Sequence, residues 1–318
     1  MYMDITWIGN FCFSILRLST PIIFAALAAV ICNKAGLLNM AIESMLLCSA
    51  LGGVLISAVS QSAFVGLLGA ILIGAIVGFV ISYASFIGKA DLYLTNIALN
   101  LAAAGGTLFV MFLTTGEKST TAVAIKSMTL PSINIPIIEN IPILGRILSG
   151  HNILTYAAFF VTFLVYFFIY KTRLGLRVRS VGENPKAAES VGISVTKIRF
   201  IAFTLSGALA GIGGAYLSMG YLSAFTRYMA AGRGYIGLAA SNISAGSPFG
   251  SLAAAIMFGT ADAAANSLQM TDAITEFVMM IPYAVTILGL VILSIIRNER
   301  KKKIIQRAMV KAQNNTDN

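Results

Sequence analysis

Polar side chains interrupt stretches of this chain that are otherwise apolar: Asn39, Glu43, Asn96, Asn100, Asn242, Asp262, Asn266 and Glu276. Such groups are costly in lipid and face protein or a water-filled cavity, so each is a candidate for a path through a membrane. Their plainer role is hydrogen bonding between helices. Glu43, Asp262 and Glu276 could also couple transport to an ion, as buried carboxylates do in secondary transporters. Enzyme chemistry finds little support. The carboxylates are not paired at a fixed helical spacing, and no nucleophile–base pair stands out. The single histidine, His151, makes neither a metal site nor a proton relay. The three cysteines, Cys12, Cys32 and Cys48, lie in apolar surroundings at spacings that match no metal site. No Gly-x-x-x-x-Gly-Lys-Ser/Thr phosphate loop is present, so ATP chemistry would reside on another polypeptide.

A second concentration of chemistry is a polar insert from Lys171 to Arg199, holding Arg173, Arg177, Arg179, Lys186 and Lys197. Within it, Asn184 suits a helix N-cap and Pro185 the first helical position. Lys186, Ala187, Ala188, Glu189, Ser190 and Val191 continue the helix, and Gly192 supplies its stop. The expectation is a helix of about two turns flanked by basic linkers. A helix that short is marginal alone in water and is stabilised by packing against a partner.

The elements that position these residues are membrane spans. Of 318 residues, 58% are hydrophobic and 11% charged, against about 25% charged in soluble domains. A span needs about 20 apolar residues. Candidates lie near 12–32, 43–61, 64–88, 92–115, 152–171, 199–220, 234–246, 248–268 and 275–297. The fold class is an all-α polytopic membrane protein with about nine (eight to ten) transmembrane helices. Residues 1–300 form the transmembrane domain, with the insert at 172–199, and 301–318 a basic tail expected in the cytoplasm. The Gly- and Ser-rich piece at 234–246 is short and suits a half-helix or re-entrant segment, and Pro21 leaves room for a break in the first span. Gly74-x-x-x-Gly78 and Gly207-x-x-x-Gly211 suit close helix–helix approach. The loop from Pro131 to Pro142 is expected to form an ordered external cap.

The net charge of +10 does not indicate nucleic acid, because the basic residues cluster at span ends, where they meet a membrane surface and its lipids. With the N-terminus outside, most of the 22 Lys and Arg fall on one side: Lys34, Lys89, the insert and the tail. That side is the cytoplasm. No cleavable signal peptide is evident.

Three blocks carry a family resemblance. Leu174-Gly175-Leu176-Arg177-Val178-Arg179-Ser180-Val181-Gly182-Glu183-Asn184-Pro185, continued by Ala187, Ala188, Gly192 and Ile193, resembles the cytoplasmic coupling loop of bacterial ABC importer permeases of the simple-sugar, nucleoside and branched-chain amino-acid type. Phe203 to Gly214 is similar to the glycine-rich helix that follows it there. Lys34 to Leu47 resembles the family's Gly-x-x-Asn-Ile-Gly-x-Glu-Gly pattern, keeping Asn39 and Glu43. It departs at Met40, Ala41 and Ser44, and both lost glycines reduce backbone freedom.

The resemblance implies a multi-pass protein of the bacterial cytoplasmic membrane. Its implied partners are a second permease (a heterodimer), an ATPase subunit and an extracytoplasmic binding lipoprotein or periplasmic protein. It places no cofactor on this chain, with ATP and Mg on the ATPase. Docking would use Glu183, Asn184, Pro185, Ala187, Ala188, Val191 and Gly192, with Glu183 as charge contact and Ala187, Ala188 and Val191 as apolar face. Ile137 to Arg146 is similar to an external loop of nucleoside permeases in the family. So are the block Ala231-Gly232-x-Gly234-Tyr235-Ile236-x-Leu238-Ala239-Ala240 and Ser247-Pro248-Phe249-Gly250. These favour nucleosides over simple sugars. An ion-coupled secondary transporter is the competing class, but it gives no role to the capped helix.

Overall fold

Helix α1 runs unbroken from Ile5 to Lys34 in a computed structural model that describes residues 5–135 and 144–269. The break allowed for at Pro21 does not occur. Proline has no N–H, so the Arg17 carbonyl one turn earlier loses its helical donor. The Tyr216 hydroxyl donates to that carbonyl at 2.9 Å instead.

The chain continues as α2 (Ile42–Ser60), α3 (Ala63–Ser82) with a π turn to Ile87, and α4 (Leu92–Thr115). Then come the short α5 (Leu144–Leu148), α6 (Ile153–Lys171), and the insert helices α7 (Arg173–Glu183) and α8 (Pro185–Ser190). Finally α9 (Val195–Ala215) is prolonged by a π turn to Tyr221, and α10 (Arg233–Ile243) and α11 (Pro248–Gln269) follow. Among the described residues six helices are long and apolar enough to cross a membrane: α1, α2, α3, α4, α6 and α9. At 11 residues, α10 is about 16 Å long and cannot span the roughly 30 Å of hydrocarbon. It is the short segment expected at 234–246. The expected span at 275–297, Glu276 and the tail lie outside the described residues.

Helix α1 is the central post, packed against α9, α10 and α11, and Ile22 to Val30 are almost wholly buried. The two small-residue motifs face each other. A side chain added at Gly74 would strike the Gly207 carbonyl, and one at Gly207 would strike that of Gly74. A Cβ at Gly211 would lie 2.6 Å from the Ala70 carbonyl oxygen. At the end of the bundle away from the polar insert, β1 (Ser132–Ile133) pairs antiparallel with β2 (His151–Asn152). Thr121 Oγ1 accepts from the Phe225 N–H at 2.9 Å, and the Leu130 N–H donates to the Met219 carbonyl at 3.1 Å. These bonds lay the first part of the loop expected to be external over the bundle; residues 136–143 lie outside the described residues.

Candidate functional site: a re-entrant core and a coupling helix

After α1 the chain turns at Gly36 (φ +73°) and passes without regular structure through Leu37 to Met40. Asn39 is buried there. It donates to Ser206 Oγ at 2.9 Å, and Ser206 donates onward to the Ala28 carbonyl at 2.8 Å. Asn39 Oδ1 accepts from the Ala41 N–H at 3.0 Å. Ser206 lies about 16 Å along α9 at 1.5 Å per residue, so the non-helical segment climbs into the bundle interior and α2 starts there. Backbone groups at that depth need internal partners. Asn96 donates to the Leu38 carbonyl at 3.3 Å and Asn100 to the Met40 carbonyl at 2.9 Å. Asn100 Oδ1 accepts from the Ser44 N–H at 3.1 Å. The glycines missing at 41 and 44 are not needed: Ala41 has φ −88°, and Ser44 is helical.

Glu43 links this segment to α10. Its Oε1 accepts from the Gly232 N–H and its Oε2 from the Gly234 N–H, each at 2.8 Å. The first N–H groups of a helix lack intrahelical acceptors and carry partial positive charge, which a carboxylate satisfies on both counts. Gly232 takes φ +79° to aim its N–H, and Gly234 packs against the Glu43 backbone. That gives the Gly-x-Gly of the 231–240 block its physical reason. Asn39, Glu43, Asn96 and Asn100 therefore converge on one mid-depth junction, where each braces backbone.

The remaining candidates lie elsewhere. Asn242 sits at the far end of α10, accepting from Asn33 Nδ2 at 3.0 Å. Beside it Lys34 Nζ donates to the Ala245 carbonyl at 3.2 Å, a cation at the negative end of α10. Asp262, on α11, is half-buried within electrostatic reach of Arg233. Asn266 is exposed and lines an outer cavity with Arg17 and Tyr221. Sequence reasoning missed Tyr235, an aromatic in the small-residue run of α10 whose hydroxyl accepts from Asn100 Nδ2 at 2.8 Å.

In the polar insert, α8 is closed at both ends. Asn184 Oδ1 accepts from the Ala187 N–H at 3.1 Å, and Pro185 takes the first position. At the other end Gly192 has φ +81°. The Gly192 N–H donates to the Glu189 carbonyl at 2.9 Å and the Ile193 N–H to the Ala188 carbonyl at 3.0 Å, the paired bonds of a Schellman motif. Glu183, Ala187 and Val191 are exposed, Val191 at 72%. Ala188 is turned inward, 1% exposed, so it seats the helix on its own bundle and is absent from the outward face.

The basic linker expected before α8 is instead helix α7. Thr172 Oγ1 caps it by accepting from the Gly175 N–H at 3.0 Å, and Val178 and Val181 are fully buried. Gly182 lies directly on the Lys34 carbonyl and Gly36, where the re-entrant segment begins.

The permease component of branched-chain amino acid transport systems matches residues 11–291. The chain belongs to that family. The guanosine ABC transporter permease NupQ of Bacillus subtilis is 32% identical over 86% of this chain and 88% of its own. The nucleoside ABC transporter permease NupC of Lactococcus lactis is 30% identical over the same shares. Among solved structures, an inward-facing metal-chelate type ABC transporter aligns with TM-score 0.52 and 19% identity. It covers 87% of this chain and 84% of that one, which supports the fold. The protein is thus a multi-pass membrane permease of the ABC type, and family membership implies an ATPase and a binding-protein partner.

Proposed function

We propose that this permease translocates nucleosides as one half of a heterodimeric membrane core, driven by a separate ATPase that holds ATP and Mg. An extracytoplasmic binding protein delivers the substrate. The single observation that carries the substrate reading is likeness to guanosine and nucleoside permeases over 86% of the chain. An uncharged nucleoside also fits a bundle whose central carboxylate, Glu43, is already engaged by backbone N–H groups. In this reading the junction of Asn39, Glu43, Asn96 and Asn100 frames the path, while Asn242, Asp262 and Asn266 flank it towards its two ends.

The coupling helix carries the drive. Glu183, Ala187 and Val191 meet the ATPase, Asn184, Pro185 and Gly192 hold the helix in shape, and Ala188 fastens it to the bundle. The helix can bias the bundle only if its seat on the ATPase differs between nucleotide states. The test is uptake of labelled purine and pyrimidine nucleosides before and after deletion of the gene. Loss of high-affinity nucleoside uptake is expected. Loss of pentose or hexose uptake alone would establish the sugar alternative, and uptake that survives inactivation of the ATPase but follows an ion gradient would reject ATP coupling.

A further inference from the structure

The exposed flanks of the bundle are uniformly apolar along α3, with Phe64, Leu68, Leu72 and Ile76, and along α6, with Phe160 and Phe163. The edge between α4 and α10 differs. Tyr235 stands in the first turn of α10, 45% exposed, at the depth of the Glu43 junction. Its oxygen accepts from Asn100, and its own O–H finds no acceptor among the described residues. Asn100 also bonds the Met40 carbonyl and the Ser44 N–H, so it is held in one orientation and in turn fixes the tyrosine. A hydroxyl donor facing hydrocarbon at mid-depth is unfavourable. An exposed one therefore fronts water or a polar solute.

We propose that Tyr235 contacts the substrate in the translocation path, offering its ring face to a nucleobase and its O–H to an acceptor on the base or ribose. Asn100 is the positioning residue behind it. The inference rests on the nucleoside reading above. A nucleoside is uncharged, with flat faces and a rim of acceptors, and tyrosine supplies one flat face and one donor. A single open-sided contact also suits a path, which must release what it binds.

The experiment uses the complete importer in proteoliposomes, with labelled guanosine, adenosine, uridine and cytidine supplied in turn. Tyr235→Phe keeps the ring and loses the donor; its maximal uptake rate should fall about fivefold, the effect of one hydrogen bond lost at the barrier. Tyr235→Ala should in addition shift the purine-to-pyrimidine rate ratio by about threefold or more, because the larger bases lose more stacking area. Tyr235→Trp should restore part of the purine rate, and it carries the comparison with Tyr235→Phe if the alanine variant does not assemble. Asn100→Ala should lower the rate, with little further loss when combined with Tyr235→Phe. Unchanged rates and ratios overturn the proposal, as does a fall in Tyr235→Ala by one common factor for all four nucleosides, which marks a structural role. If the unaltered importer moves none of the four, the nucleoside reading itself fails and this inference falls with it; that outcome is distinguishable because it precedes any substitution.

Discussion

Helix α8 and the junction around Glu43 are both short pieces of backbone that need help to hold their shape, and they obtain it in opposite ways. Helix α8 finds its partners within its own neighbourhood, Asn184 at one end and Gly192 at the other. The junction finds them far away in sequence: Glu43 holds Gly232 and Gly234, and Asn39 holds Ser206. A locally closed element can sit at a surface and present a face to a partner. A remotely closed one exists only once the bundle has assembled, so it reports on the whole fold.

The strongest way to break this contrast is at Glu43. Glu43→Leu leaves the Gly232 and Gly234 N–H groups without their acceptor, at about 1–3 kcal/mol for each buried donor. A large drop in the melting temperature of the purified permease and complete loss of uptake are expected, with Glu43→Gln, which keeps one acceptor, falling between. A melting curve and uptake rate unchanged in Glu43→Leu would show that the junction closes without its carboxylate.

Next in size is the point where the two regions touch. In Gly182→Val the side chain meets the Lys34 carbonyl and Gly36, so α7 must shift away from the start of the re-entrant segment. Uptake should fall about tenfold, with ATP hydrolysis retained, equivalent to about 1.4 kcal/mol of lost coupling. Equal losses of hydrolysis and uptake would instead place the damage in assembly.

The outward face of α8, with Glu183 just before it, should behave as a surface. Ala187→Arg with Glu183→Lys is expected to abolish co-purification of the ATPase while leaving thermal stability within about 0.5 kcal/mol of the starting protein. Ala188→Arg should do the reverse first, lowering stability because that residue is buried. Stability losses of equal size in the two variants would remove the distinction between face and seat.

The smallest effect concerns the outer cap. His151 stacks on Phe13 with ring centroids 4.0 Å apart, and burial pushes its pKa below the ordinary value, with Arg17 acting in the same direction and the Ile147 carbonyl opposing. The folded state thus favours neutral imidazole. Its contribution is present above the ordinary histidine pKa of about 6.5 and is lost as pH falls from there through the lowered folded-state pKa. Melting temperature should decline modestly between pH 7.5 and 5.5, and His151→Gln should flatten that slope.

Legibility in the sequence follows the same division. The cap, the proline and the glycine of α8 are local signals, and the helix lies where they place it. Six of the nine expected spans coincide with helices long and apolar enough to cross among the described residues, because apolar length is local too; 234–246 is a short helix, and 248–268 is helical without meeting that mark. Helix α7 passed for a linker because its arginines drew notice, although Leu174, Val178 and Val181 already formed an apolar stripe at helical spacing. The climb from Gly36 to Ala41 resembles a loop in composition. Its partners on α4, α9 and α10 are distant in the chain, so no window of sequence contains the reason for its shape. Asn39, Glu43, Asn96 and Asn100 were recognisable as exceptional, but not as members of one junction.

The meeting of Gly74 and Gly207 sets a limit on how this molecule can move. Where carbonyl oxygens press on the glycines of the facing helix, no side chain stands between the two backbones. There is no rotamer to change and no slack to take up. Helices α3 and α9 therefore travel as a single strut. Since α9 follows the insert helices α7 and α8 directly, a push on that insert moves both at once.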